Sequence, residues 1–264
     1  MTAVPEPYSV VAFNTARESE NKIHDNAVAR RFGFSGGLVP GVDVYAYMAH
    51  LPVACWGRDF LEHGSLEARF LKPVYDGETA TVTGAGADGD LAIEVACRGE
   101  LCATGRAAMA RTPPSPLDAF PETAAVAERA PADATSLRVG RWLGIKPLRL
   151  TADWAARYIA DVRERDPLYL DQGLSHPGQL PRLLNWALTH NVVLGPWIHV
   201  ASKLDHFAAA RVGDELTVRA KVTANYEKKG HRFVELDGLV VANGTTPVAR
   251  AAHTAIYRPR AAAP

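Results

Sequence analysis

The chain has 264 residues, 47% of them hydrophobic, and its 29 Lys and Arg balance 29 Asp and Glu. That length allows one large domain or two of about 130 residues, each able to bury a core, and the even charge argues against a polyanionic partner such as nucleic acid. No run approaches the roughly 18 apolar residues of a membrane span, and the opening MTAVPEPYSV lacks the basic and apolar regions of a signal peptide, so a cytoplasmic protein is expected.

The three cysteines, Cys55, Cys97 and Cys102, form no CxxC pair and read as free thiols in a reducing compartment. In chain order, YSVVAF (Tyr8 to Phe13) suits a strand, and DNAVARRF suits a short helix capped by Asp25. The segment from Gly41 to Trp56 predicts a long apolar helix, kinked or ended near Pro52. Four strand-length segments follow, SLEARFL, GETATVTGAG, LAIEVACRG and LCATGRAAMA, separated by DG, DGD and GE turns. A sheet of that kind and one apolar helix hide each other's apolar faces. From Arg111 to Thr135 the composition turns to proline and alanine without periodicity, which predicts a linker.

The order then repeats. WAARYIADV predicts a strand, Leu180 to Leu194 a long apolar helix, and four further strands begin at WIHVASKLDHF, DELTVRAKV, HRFVELDGL and VARAAHTAI. RFLKPVYDGETATVTG in the first half and DHFAAARVGDELTVRA in the second both place an aromatic, Phe70 or Phe207, ahead of a glycine, an acid and a strand. Two copies of one domain are expected: residues 1–111 and 138–264, joined by a linker over 112–137.

The stretch NKIHDNAVARRFGFSGGLVPG, residues 21–41, combines a histidine with closely spaced glycines, as a backbone approaching a ligand requires. It is similar to a pattern of the MaoC-like hydratases and dehydratases: Asn-Pro-hydrophobic-His, an acidic residue, a small helix, then Gly-Phe and a Val-Pro-Gly close. ARFLKPVYDGE matches that family's phenylalanine, proline and glycine before a strand pair. The resemblance covers most of residues 8–111, with a weaker copy from about 152 to 258. It implies an α+β double hotdog fold, two copies of a long central helix wrapped by an antiparallel β-sheet.

The resemblance also implies hydration of an enoyl thioester, or dehydration of an (R)-3-hydroxyacyl thioester. Coenzyme A or acyl carrier protein would form part of the substrate, and no further cofactor or metal is implied. The family's chemistry rests on an aspartate followed five positions later by histidine, to activate water and manage the proton at the neighbouring carbon. Here the histidine is His24, but Ser19 stands at the aspartate position, so Glu20 or Glu18 is the candidate carboxylate. Gly36, Gly37 and Gly41, with Ser19, are candidates for substrate and oxyanion binding, and free amides at a helix beginning at Gly41 would favour a carbonyl oxygen gaining charge.

In the second half RERDPLYLD puts Glu164, Asp166 and Tyr169 at the aspartate, asparagine and histidine positions. Glu164, Tyr169 and His199 are therefore further candidates. His176 and His206 lie nearby in sequence without zinc spacing, and Lys228, Lys229, His231 and Arg232 offer a basic hairpin for carrier phosphates. Two alternatives remain in view, a thioesterase or other carrier-thioester lyase, and a non-catalytic acyl-thioester-binding or partner subunit. A homodimer of double-hotdog chains is compatible with either.

Overall fold

The computed structural model describes residues 5–87 and 89–260. The first half comprises β1 (Tyr8–Val11), a 3-10 turn (Lys22–His24), α1 (Asn26–Arg31), α2 (Gly41–His63), β2 (Ser65–Phe70), β3 (Thr79–Ala87), β4 (Asp90–Cys97) and β5 (Glu100–Ala108). After a 3-10 turn at Leu117–Ala119 come β6 (Ala130–Pro131), β7 (Trp142–Gly144), β8 (Leu148–Arg149), α3 (Ala152–Asp161), α4 (Leu168–Gln172), α5 (Gln179–Thr189) and β9 (Val192–Val193). The second half closes with β10 (Ile198–His206), β11 (Glu215–Lys228), β12 (His231–Ala242) and β13 (Thr246–Arg258).

The main sheet runs β1-β3-β4-β5-β2-β10-β13-β12-β11-β7, antiparallel at the central joint and within each half. Read outward from its middle, it is the same order twice. The halves meet where β2 pairs with β10, from Ser65 opposite Asp205 to Arg69 opposite Ala201. Each half lays its sheet over a helix. Tyr45, Met48 and Leu51 of α2 are buried in one core with Leu66, Val82 and Ile93, and Leu183, Leu184 and Leu188 of α5 with Val218, Leu236 and Val240. Burying a side chain of this size contributes about 1.5–3 kcal/mol. No helix among the described residues is long and apolar enough to cross a membrane.

Three local expectations need correction. WAARYIADV is helical, not extended: Ala155, Tyr158, Ile159 and Val162 fall on one helical face and are buried, and Thr151 caps the start by accepting from Trp154 N at 3.2 Å. The strand equivalent to β1 is instead β7, at the far edge of the sheet. α2 passes Pro52 and continues to His63, and its non-helical residue is Gly57, at φ 56°. α5 stops at Thr189 because Asn191 turns its amide back, Nδ2 donating to Ala187 O at 2.8 Å and to Gly144 O at 2.7 Å.

The two helices touch where α5 begins. A Cβ on Gly178 would overlap the Tyr158 hydroxyl and lie 2.6 Å from Ala46 Cβ. Gly178→Ala should therefore lose about 2 kcal/mol by overpacking, read as a lower urea midpoint. Gly195, whose added Cβ meets nothing within 4 Å, is the control: Gly195→Ala should leave the midpoint nearly unchanged.

Candidate active site

The site is assembled by one asparagine. Asn21 is buried, its Oδ1 accepting from Ile23 N at 3.3 Å and from Trp197 N at 3.1 Å while its Nδ2 donates to Trp197 O at 2.9 Å. The loop before His24 is thereby tied to the backbone of the second half. The 3-10 turn that follows aims the imidazole: His24 Nδ1 lies 2.7 Å from Leu38 O and Nε2 lies 3.2 Å from Asn21 Nδ2. A carbonyl can only accept, so these partners assign the proton to Nδ1 and leave Nε2 with its lone pair. Burial depresses the His24 pKa, opposed by the Leu38 contact and the charge of Asp43. The shift favours the neutral ring.

The glycines divide into two roles. Gly37 donates its amide to Asn26 Oδ1 at 2.8 Å, and a Cβ there would overlap the His24 carbonyl. Gly36 and Gly37 thus shape the turn carrying His24, and they line a cavity of about 410 Å³ that does not include Gly41. Gly41 opens α2. Pro40 O takes the Asp43 and Val44 amides at 2.9 and 3.2 Å, so the amides of Gly41 and Val42 have no acceptor within the helix. A Cβ on Gly41 would sit 2.9 Å from His199 Nδ1 and 3.1 Å from the Phe70 ring.

Besides the cavity it shares with Gly36 and Gly37, His24 borders two more. One, of about 280 Å³, is walled by apolar residues including Ile23, Leu38, Val44, Phe70 and Ile256, with Gly41 and His199. The other, of about 300 Å³, is lined by Ser19, Glu20, Arg129, Arg182 and His190. Asn21, His24, Pro40, Asn185 and Trp197 border both. Beneath the second cavity Asp43 is fully buried and accepts from Thr15 Oγ1 and Arg182 Nη2, each at 2.6 Å. Asp43, Arg182 and Asn185 escape a sequence reading because each is an ordinary member of a helical face. Asn21 did carry a signal, standing at the asparagine of the motif.

The structure does not bring Glu20 or Glu18 into hydrogen-bonding contact with His24. Glu20 is exposed and pairs with Arg129 at 2.9 Å, whose hydrogen bond and charge lower its pKa; Glu18 is exposed. Ser19 is half-buried and its hydroxyl donates to Asn21 O at 3.3 Å. The carboxylate whose charge acts on His24 is Asp43.

His199 is buried. Its Nε2 lies 3.2 Å from Ala201 O and 2.8 Å from Ser202 Oγ, which places the proton on Nε2, and burial followed by the charge of His253 holds its pKa well below the ordinary value. His206 is also buried, its pKa lowered to about 4 by desolvation.

The corresponding place in the second half is closed. Glu164 is 2% exposed and accepts from His50 Nδ1 at 2.8 Å and His176 Nε2 at 3.3 Å. It also accepts from the amides of Arg165 and Asp166 at 2.6 and 2.8 Å. Tyr169 is buried with its ring 4.6 Å from that of His176, and its hydroxyl has no hydrogen-bond partner among the described residues. Burial, then the charge of Glu164, raises its pKa. Among the described residues no group of three or more His, Cys, Asp or Glu side chains is arranged to hold a metal ion.

No protein-family model matches the sequence, and no curated protein matches it significantly. Solved structures do match. A protein described as a MaoC domain dehydratase from Chloroflexus aurantiacus is similar at TM-score 0.65 and 10% identity, covering 98% of this chain and 96% of that one. A conserved protein from Mycobacterium tuberculosis with a double hotdog fold is similar at TM-score 0.61 and 15% identity, covering 96% of this chain and 96% of that one. A protein described as a thioesterase from Novosphingobium aromaticivorans is similar at TM-score 0.50 and 13% identity, over 84% of this chain and 88% of that one. The chain therefore has the double hotdog fold, seen also in MaoC-like dehydratase structures.

The Glu164 cluster makes a pH-dependent contribution to stability. Burial alone would raise the Glu164 pKa, but hydrogen bonds from His176 and His50 outweigh it and hold the pKa below the ordinary value. A carboxylate depressed in the folded state stabilises fully above its unfolded pKa, about 4.3, and loses that contribution as pH falls below it. Urea midpoints should fall from pH 6 to pH 3. Glu164→Gln should flatten that acid slope and lose about 2 kcal/mol at pH 7.

Proposed function

We propose that the chain hydrates a 2-enoyl thioester, or dehydrates the corresponding (R)-3-hydroxyacyl thioester, using His24 as the single proton-transfer group. The observation that supports it is the orientation of His24, with Nδ1–H spent on Leu38 O and the Nε2 lone pair at a junction of two cavities bordered by the start of α2. The contact from Asn21 to Nε2 is long at 3.2 Å. It yields to a water molecule, which can donate a proton to the lone pair.

In hydration, Nε2 removes a proton from water as its oxygen bonds to C3 of the enoyl group. The double-bond pair moves through C2 to the thioester oxygen, where the Gly41 and Val42 amides stabilise the developing charge. The proton on Nε2 then returns to C2, restoring the carbonyl and a neutral imidazole. Water is added overall, and both proton transfers pass on the face that His24 occupies. Dehydration is the reverse.

With no carboxylate at position 19, one imidazole serves both steps. The same lone pair could instead direct water to the thioester carbonyl, and this makes hydrolysis the second reading. The assay is a panel of enoyl and 3-hydroxyacyl thioesters, followed both for hydration and for release of free thiol. The proposal requires reversible hydration without thiol release, and a fall of at least about 100-fold in kcat for His24→Ala. Rate should rise with pH through an acid limb below 6.5, because the neutral form of His24 is the active one. Thiol release would establish hydrolysis, and full activity in His24→Ala would place the chemistry elsewhere.

A further inference from the structure

The space beside His24 does not end at the second cavity. Glu20, Arg129, Thr189 and His190 are shared with a third cavity of about 690 Å³. One wall of that chamber is the linker itself, Glu122 through Ala127, facing Ile145, Lys146 and Pro147. The wall is fixed in place. Phe120 is buried with Leu239 and Val241, and Arg219 donates to Phe120 O and Gly244 O, each at 3.1 Å. Gly144 permits the approach, since a Cβ there would overlap the Thr123 carbonyl. A segment that served only to span distance would need none of these contacts.

The charged side chains on this wall are Glu20, Glu122, Arg129, Lys146 and Arg219. Glu20 is taken by Arg129 at 2.9 Å, and Glu122 lies 3.7 Å from Arg219. That leaves Lys146, exposed and without an ion pair among the described residues. Its amide donates to His190 Nδ1 at 3.2 Å. Burial, then the charges of Lys146 and Arg129, depresses the His190 pKa, as a positive local field requires. On the other side of His24 the 280 Å³ chamber is mostly apolar, and Lys72, which also lines it, is held by Glu100 at 2.8 Å. The three cavities share lining residues in series, so His24 lies between a mostly apolar chamber and one that carries a lysine unpaired among the described residues.

We infer that the linker-walled chamber binds the phosphorylated end of the substrate's carrier arm, with Lys146 as its anion contact, while the acyl chain fills the apolar chamber. This rests on the thioester reading above. The ligand chemistry is a phosphate ester of pantetheine, common to coenzyme A and to a carrier protein's prosthetic arm. The competing surface is the hairpin at Lys228 and His231, since His231 helps to line the apolar chamber. A phosphate held there would sit beside the chamber assigned to the acyl chain.

Calorimetric titration with 4′-phosphopantetheine and with pantetheine isolates the phosphate. Wild type should bind the phosphorylated arm about ten-fold tighter. Lys146→Glu should reduce that preference to less than about two-fold, and Lys228→Glu should retain it. Equal binding of the two arms by wild type, or loss of the preference in Lys228→Glu but not in Lys146→Glu, overturns the inference. Coenzyme A binding tighter than 4′-phosphopantetheine would identify the nucleotide carrier, and equal affinity the protein-borne arm. Both are consistent with the chamber. Turnover without a phosphate preference would sink this inference alone. A Lys146-dependent preference in a protein that turns over no thioester would sink the proposed reaction and leave the phosphate site standing.

Discussion

The pairing of β2 with β10 is the constraint on which the rest depends. It joins two sheets into one and sets the start of α2 in the first half beside His199 in the second. Only with that joint in place can Asn21 reach across to both backbone groups of Trp197. The amide then has two fixed partners in the other half and one ring nitrogen of His24 within 3.2 Å. An edge pairing of backbones thus fixes an imidazole, through a single side chain.

The two halves use the same architecture for opposite ends. In the first, the histidine position is kept and the aspartate position holds Ser19, so the cavity around His24 stays open. In the second, a carboxylate is present at Glu164, but His50 from α2 and His176 close on it and leave its side chain 2% exposed. A buried carboxylate demands hydrogen-bond donors, and here they come from both halves. The closed place thereby locks α2 against the second half, and the open one inherits a rigid floor. Asp43 adds to that floor, its charge compensated by Arg182 from α5.

Much of this was legible in the sequence where local rules decide. The Asp25 cap, the helix beginning at Gly41 and the four-strand runs of each half all follow from patterns a few residues long. WAARYIADV carries helical spacing at Ala155, Tyr158, Ile159 and Val162, but over nine residues that signal competes with the strand preference of its Trp, Tyr, Ile and Val. α2 runs past Pro52 because tertiary packing on both sides outweighs one lost hydrogen bond. The site was half legible: His24 and Gly41 lie in a recognisable run, whereas Glu20 was a candidate on sequence proximity alone and is held by Arg129, 109 positions away. Asp43, Arg182 and Asn185 meet the site only through the packing of α2 and α5, which no local pattern encodes.

The central claim, that one imidazole carries out both proton transfers, has a stereochemical consequence. A single base on one face must place the new hydroxyl and the new hydrogen on the same side of the former double bond. Hydration of a 2-enoyl thioester in D₂O, with the product's C2 and C3 configuration read by NMR, tests this directly. The account predicts deuterium at C2 on the face that received the C3 hydroxyl. Addition to opposite faces would require a second proton donor across the cavity and would contradict it.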